Sequence, residues 1–160
     1  MFENILLTLD GSPFGEQAIP YAVELAKCHG GTLHILRVAQ VLAPIDFEVG
    51  TAVYQNLLAQ ELTVAQNYVD TAIGRLRAEG IDVEGEVLMG DPATVILDRA
   101  SRTGASVIVM ATHGRSGLGR LVFGSVADQV LRGATAPVLM VRVVEMKSEA
   151  VHQAEGSGAL

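Results

Sequence analysis

The stretch Ser106–Ala134, SVIVMATHGRSGLGRLVFGSVADQVLRGA, decides how the chain is read. Ser106–Ala111 reads as an unbroken buried strand, of the kind found in parallel sheets covered on both faces. Gly114, Gly117, Gly119 and Gly124 follow, with Arg115 and Arg120 among them. Ser125–Arg132 then takes up helical spacing. Backbone N–H groups approach an anion closely where side chains are absent, and a helix N-terminus adds unpaired N–H groups and partial positive charge. The stretch therefore reads as strand, anion-compatible loop and helix.

Outward from it, the same alternation recurs. Asn4–Leu9, NILLTL, is a second unbroken apolar run. Ser12 is a good N-cap and Pro13 suits a first helical position. Phe14, Ala18, Tyr21, Ala22, Leu25 and His29 mark a helix that Gly30-Gly31 ends. Thr32–Val38 reads as a strand and 40–50 as an irregular loop. A long helix over Ala52–Glu79 follows, with Leu58, Leu62, Ala65, Val69, Ala72 or Ile73, and Leu76 as its buried stripe. Ile81–Leu88 alternates, with Asp82, Glu84 and Glu86 on one face, the mark of an edge strand. Asp91 is the expected N-cap and Pro92 the first residue of a helix to about Arg102. Ser125 with Asp128 resembles a capping box. Ala136–Val144 is the last strand, and Glu145–Leu160 reads as a disordered tail after a domain over 1–144.

Strands alternating with helices predict an α/β fold with a five-stranded parallel open sheet, Rossmann-like, helices on both faces. The most apolar strands, first and fourth, belong at the centre, and the order 3-2-1-4-5 satisfies this with right-handed crossovers. It sets the topological switch point between strands one and four, where open α/β sheets bind ligands. The strand ends there are Thr8-Leu9-Asp10 and Met110-Ala111-Thr112, so the glycine loop begins at the expected crevice.

Composition narrows the function. Of 160 residues 49% are hydrophobic, enough for one domain with a real core. The net charge of −7 and an aromatic share of 4% without Trp argue against a nucleic-acid surface. Cys28 alone can neither staple the fold nor build a zinc site. The opening MFENILLTLDGS has no basic leader, and no apolar run reaches membrane-spanning length. The expectation is a cytoplasmic protein that binds neither nucleic acid nor membrane. The loop is neither a P-loop, since no Lys-Ser/Thr follows, nor a dinucleotide fingerprint, since it follows the fourth strand.

From Phe2 to Val143 the chain resembles the universal stress protein family. The nucleotide-binding motif of that family is Gly, two residues, Gly, nine residues, Gly, then Ser or Thr. Here the positions hold Ala111, Thr112-His113, Gly114, RSGLGRLVF, Gly124 and Ser125. Ala111 in place of the first glycine is the one departure. The opening ILLTLDGS and closing APVLMVR are also similar to the family, although Thr8 stands where members with this motif carry proline.

The resemblance implies a bound ATP, with any Mg²⁺ held mainly by the phosphates and water. By position, Asp10 would face the adenosine, Thr8 would belong to the nucleotide site and Val38 would line the adenine pocket. Met89 and Gly90 would close the pocket, and Met110 and Ala111 would border it. The backbones of Gly114, Arg115, Gly124, Ser125 and Val126 would hold the phosphates, with the Ser125 hydroxyl adding a contact. No residue is an evident base over a γ-phosphate, so hydrolysis, if any, is expected to be slow. The resemblance also implies a homodimer through the exposed last strand, near Val138–Val143, and protein partners it does not name. Two rival readings stand: a nucleotide-free protein-interaction module of the same fold, and an enzyme using His113 as its catalytic residue.

Overall fold

The computed structural model describes residues 1–40, 51–112 and 124–143. The strands are β1 (Asn4–Thr8), β2 (Thr32–Ala39), β3 (Val83–Met89), β4 (Val107–Ala111) and β5 (Val138–Val141). The helices are α1 (Ile19–His29), α2 (Thr51–Ala78), α3 (Pro92–Thr103) and α4 (Ser125–Gly133). All strand pairs are parallel, in the order β3-β2-β1-β4-β5. The expected fold and strand order are thus what the chain adopts. The expected tail over 145–160 lies outside the described residues.

Alternation along each strand divides the core into two layers. Ile5, Leu7, Leu33, Ile35 and Val109 face α1 and α2, where Ala22, Val69, Ala72 and Leu76 complete the layer. Leu6, Leu36, Ile108 and Met110 face α3 and α4, against Ile96, Ala100 and Val130. β1 and β4 therefore bury both faces, which explains the unbroken apolar runs Ile5–Leu7 and Val107–Ala111.

The three acids on and just before β3 are engaged. Glu84 pairs with His34, directly opposite on β2, at 2.6 Å. Glu86 pairs with Arg99 of α3, and Asp82 accepts a hydrogen bond from the Thr32 hydroxyl at 2.7 Å.

Two helix starts differ from expectation. Ser12 Oγ accepts the Gly15 N–H at 3.0 Å, but α1 does not begin there. A turn and one 3-10 segment, Gly15–Ala18, come first, and α1 starts at Ile19 with Pro20 in its first turn. Ser12 is held by the Asp10 carboxylate, so the chain finishes that local turn before it enters the helix. At α4 the N-cap is Gly124, not Ser125, and no side chain caps the helix. Ser125 is already the first helical residue, and Asp128 is drawn away from the terminus by Arg132 at 2.9 Å. The expected capping box is therefore absent. Asp91 does cap α3, accepting the Thr94 N–H at 3.0 Å.

The α2 stripe holds at Ala65, Val69, Ala72 and Leu76. Leu58, Leu62 and Ile73 are only half-buried, and Val53 and Leu57 are exposed. A 28-residue helix runs about 42 Å at 1.5 Å per residue and outreaches the seven-residue β3. Its first turns continue the pattern past the sheet they would cover.

Leu76 is 1% exposed between α2 and the sheet. Leu76→Ala is expected to cost about 3 kcal/mol and to lower Tm by about 6–12 °C, read by thermal unfolding. Hydrogen bonds from the Thr94 N–H and hydroxyl hold the Asp91 carboxyl below its usual value. The capping stabilisation is therefore full above the unfolded-state pKa and is lost as pH falls through the folded one. Asp91→Asn keeps the cap without the titration. Its Tm is expected to converge on the parent's, or pass it, below about pH 3; a constant offset from pH 7 to pH 2 would contradict the assignment.

Candidate functional site

The strands on either side of the switch point send their chains to opposite faces: β1 leads to α1 and β4 to α4. A cavity of about 330 Å³ opens between their carboxyl ends. Thr8, Asp10, Val38, Met110, Ala111, Gly124, Ser125 and Val126 all line it. Eight of the twelve residues expected at the site are thereby brought together. Met89 and Gly90 are not among the lining residues; both are exposed at the end of the β3 edge. Gly114 and Arg115 lie outside the described residues, as do His113 and Arg120.

The floor of the cavity is apolar. Leu36 and Val38, two apart on β2, face the same side, and Met110 and Ile96 meet them there. Pro92 and Ile96, one turn apart on α3, form the wall behind. Gln40 continues the β2 alternation at the rim. Leu36, Gln40, Pro92 and Ile96 were not singled out for the site in the sequence. Period-two spacing from Val38 would have found Leu36 and Gln40; the α3 pair depends on how that helix crosses the sheet.

Asp10 is the one charged side chain among the described lining residues. Its Oδ1 accepts the Ser12 N–H at 3.0 Å and the Ser12 hydroxyl at 2.7 Å. A Cβ at Gly15 would lie 2.4 Å from that oxygen, so the 3-10 turn approaches the carboxylate as only glycine permits. Asp10 is thus held by the backbone that follows it.

The N-terminus of α4 also borders the cavity. No side chain among the described residues caps it, and its first-turn residues Ser125, Val126 and Ala127 line the cavity. Four N–H groups at a helix start lack intrahelical partners, and they carry the positive end of the helix dipole. Gly124 has φ −56° and ψ 151°, a conformation open to any residue. Among the described residues, a Cβ built there meets only the Thr112 carbonyl oxygen, at an ordinary 3.5 Å. Neither the local backbone nor the packing among the described residues demands glycine at this position. Thr112 fixes the base of the loop: its carbonyl accepts the Gly124 N–H at 2.9 Å, and its hydroxyl accepts the Val143 N–H at 3.3 Å.

The arrangement offers an apolar slot bordered by a fixed carboxylate and by helix amides that no described side chain caps. It suits a flat, largely apolar group joined through hydroxyls to an anion.

Comparison with known proteins agrees with this geometry. The universal stress protein family model matches residues 1–142. The universal stress protein YxiE of Bacillus subtilis is 31% identical over 157 residues, covering 89% of this chain and all of that protein. A universal stress protein of Thermus aquaticus is 32% identical over 148 residues, covering 89% of this chain and all of that one. Among solved structures, hypothetical protein MJ0577 superposes with a TM-score of 0.78 at 25% identity, over 91% of this chain and 99% of its own. A universal stress protein in complex with cAMP (TM-score 0.66, 21% identity, 89% and 98% covered) shares the fold. So does an Arabidopsis thaliana family protein with AMP bound (TM-score 0.62, 13% identity, 89% and 93% covered). With the family model matching nearly all of the folded chain, the protein belongs to the universal stress protein family.

Proposed function

We propose that this protein binds an adenine nucleotide, ATP in its working state, in the crevice between β1 and β4, and that occupancy serves as a signal in a cytoplasmic stress response. The observation that carries this reading is the α4 N-terminus at the cavity, without a side-chain cap among the described residues and introduced by a glycine that neither its backbone angles nor its described neighbours require. A side chain at Gly124 would cost the fold little but would stand between phosphate and the helix amides. In this reading the adenine lies on Leu36, Val38 and Ile96, the ribose faces Asp10, and the phosphates meet Gly124, Ser125 and Val126. Gly114 and Arg115 complete the phosphate site, Met89 and Gly90 its outer edge. The solved relatives with cAMP and AMP support an adenine nucleotide as the ligand class.

Among the described residues no three His, Cys, Asp or Glu side chains gather where they could hold a metal. Mg²⁺ arriving with ATP would be held mainly by phosphates and water. Among the described residues no helix is long and apolar enough to cross a membrane.

We also propose a homodimer through β5. Its described pairing is with β4 alone. Pro137 and Val141 direct their carbonyls at β4, to Ile108 and Thr112. By the alternation of a parallel ladder, Val138 and Met140 present their N–H and C=O groups to the open side. A second β5 can pair there about a two-fold axis.

Calorimetric titration of nucleotide-stripped protein with MgATP tests the first proposal. Micromolar affinity, about −8 kcal/mol, is expected of the parent. Gly124→Val should weaken it at least about tenfold, about 1.4 kcal/mol, while its altered cap lowers stability by only about 1 kcal/mol. A folded parent that binds no adenine nucleotide would overturn the proposal and favour the interaction module. For the dimer, Met140→Pro removes one outward N–H and no bond to β4. Light scattering should then report a monomer where the parent is a dimer; an unchanged mass would exclude the β5 edge.

A further inference from the structure

Arg37 is a buried arginine on the side of the sheet away from the cavity. It is 3% exposed, and the strand alternation that turns Leu36 and Val38 toward the cavity turns Arg37 toward α1 and α2. Its Nη2 lies 3.3 Å from Glu61 Oε1, and its Cζ sits 5.1 Å from the centre of the Tyr68 ring, both residues of α2. The other side of the guanidinium faces Gly11. A Cβ built on Gly11 would stand 2.8 Å from Nη1 and 3.0 Å from Cζ. Gly11 has φ +79°, in the region that favours glycine. It lies between Asp10, which lines the cavity, and Ser12, whose N–H and hydroxyl hold the Asp10 carboxylate.

We infer that Arg37 is a positioning residue for the nucleotide site: anchored on α2 by Glu61 and Tyr68, its planar guanidinium backs the left-handed turn at Gly11 and so fixes the direction of the Asp10 carboxylate. The inference rests on the nucleotide reading of the cavity. A buried guanidinium is costly unless paired, and its fork makes a rigid support that an ammonium on a flexible stem does not. The charges around Tyr68 belong to the same cluster. Its phenol is pushed well above the usual value by burial, then by Glu16 and Asp10, with Arg37 acting against them. The site loop and α2 thereby share one network.

The test is a double-mutant cycle with a second, ligand-free readout. Parent, Arg37→Met, Asp10→Asn and the double variant are titrated with MgATP. Amide hydrogen exchange is measured at Ser12 and Gly15 against Ile5–Leu7. If Arg37 acts through Asp10, Arg37→Met weakens binding about five- to twentyfold in the parent background. In the Asp10→Asn background it changes binding by less than about twofold. Exchange at Ser12 and Gly15 rises with β1 unchanged. Equal loss in both backgrounds, or exchange rising along β1 as well, would mean that Arg37 only stabilises the fold and would overturn the inference. Arg37→Lys, which keeps the charge and loses the fork, guards against a variant that fails to fold and is expected to show the same pattern. If the parent binds no nucleotide, the nucleotide reading falls, and the exchange readout still decides whether Arg37 holds the turn.

Discussion

A parallel sheet cannot continue from one strand to the next without a crossover, and where successive crossovers take opposite faces nothing covers the strand ends. Every feature of the site follows from that constraint. β1 hands the chain to α1 on one face, β4 hands it to α4 on the other, and the crevice between them is what the topology leaves open. The apolar slot comes from β2 and α3 on the covered side. The polar ends come from the two chain exits, Asp10 after β1 and the bare α4 terminus beyond β4. The two core layers hold these exits in place, since the central strands are buried on both faces.

Much of this was legible because strands and helices leave different periods in the sequence. The apolar runs of β1 and β4 can sit only at the centre, and the acidic alternation of β3 only at an edge. Those two facts fix the strand order and with it the location of the crevice. The glycine spacing then identified the family, and eight of the expected residues gather at one cavity. The illegible parts depend on competition between neighbouring groups. Whether Ser12 starts a helix depends on the Asp10 carboxylate, which claims it first. Whether Ser125 caps α4 depends on where the preceding carbonyl points, and Gly124 takes that role. The α2 stripe reads as core over its whole length because periodicity carries no knowledge of where the sheet ends. Arg37 looks like a polar break in the strand TLHILRVA, and only the packing of α2 reveals its partners.

In the nucleotide reading proposed above, an acidic protein accommodates an anion at a cavity whose described lining residues include no cation. Affinity for phosphate there would come from oriented amides, whose partial charges are fixed by the fold. Helix-terminal charge effects are worth about 0.3–1 kcal/mol when exposed and up to about 2 when partly buried. This makes the direction of α4 matter more than the side chains along it.

The two edges of the sheet are unlike. β3 carries Glu84 and Glu86, already engaged by His34 and Arg99. β5 is apolar throughout. Strand addition therefore has one favourable end: among the described residues β5 offers an apolar edge, whereas β3 offers one that carries charged side chains. If two β5 edges pair as proposed, both outward edges of the joined sheet are β3, whose acidic residues disfavour further strand addition.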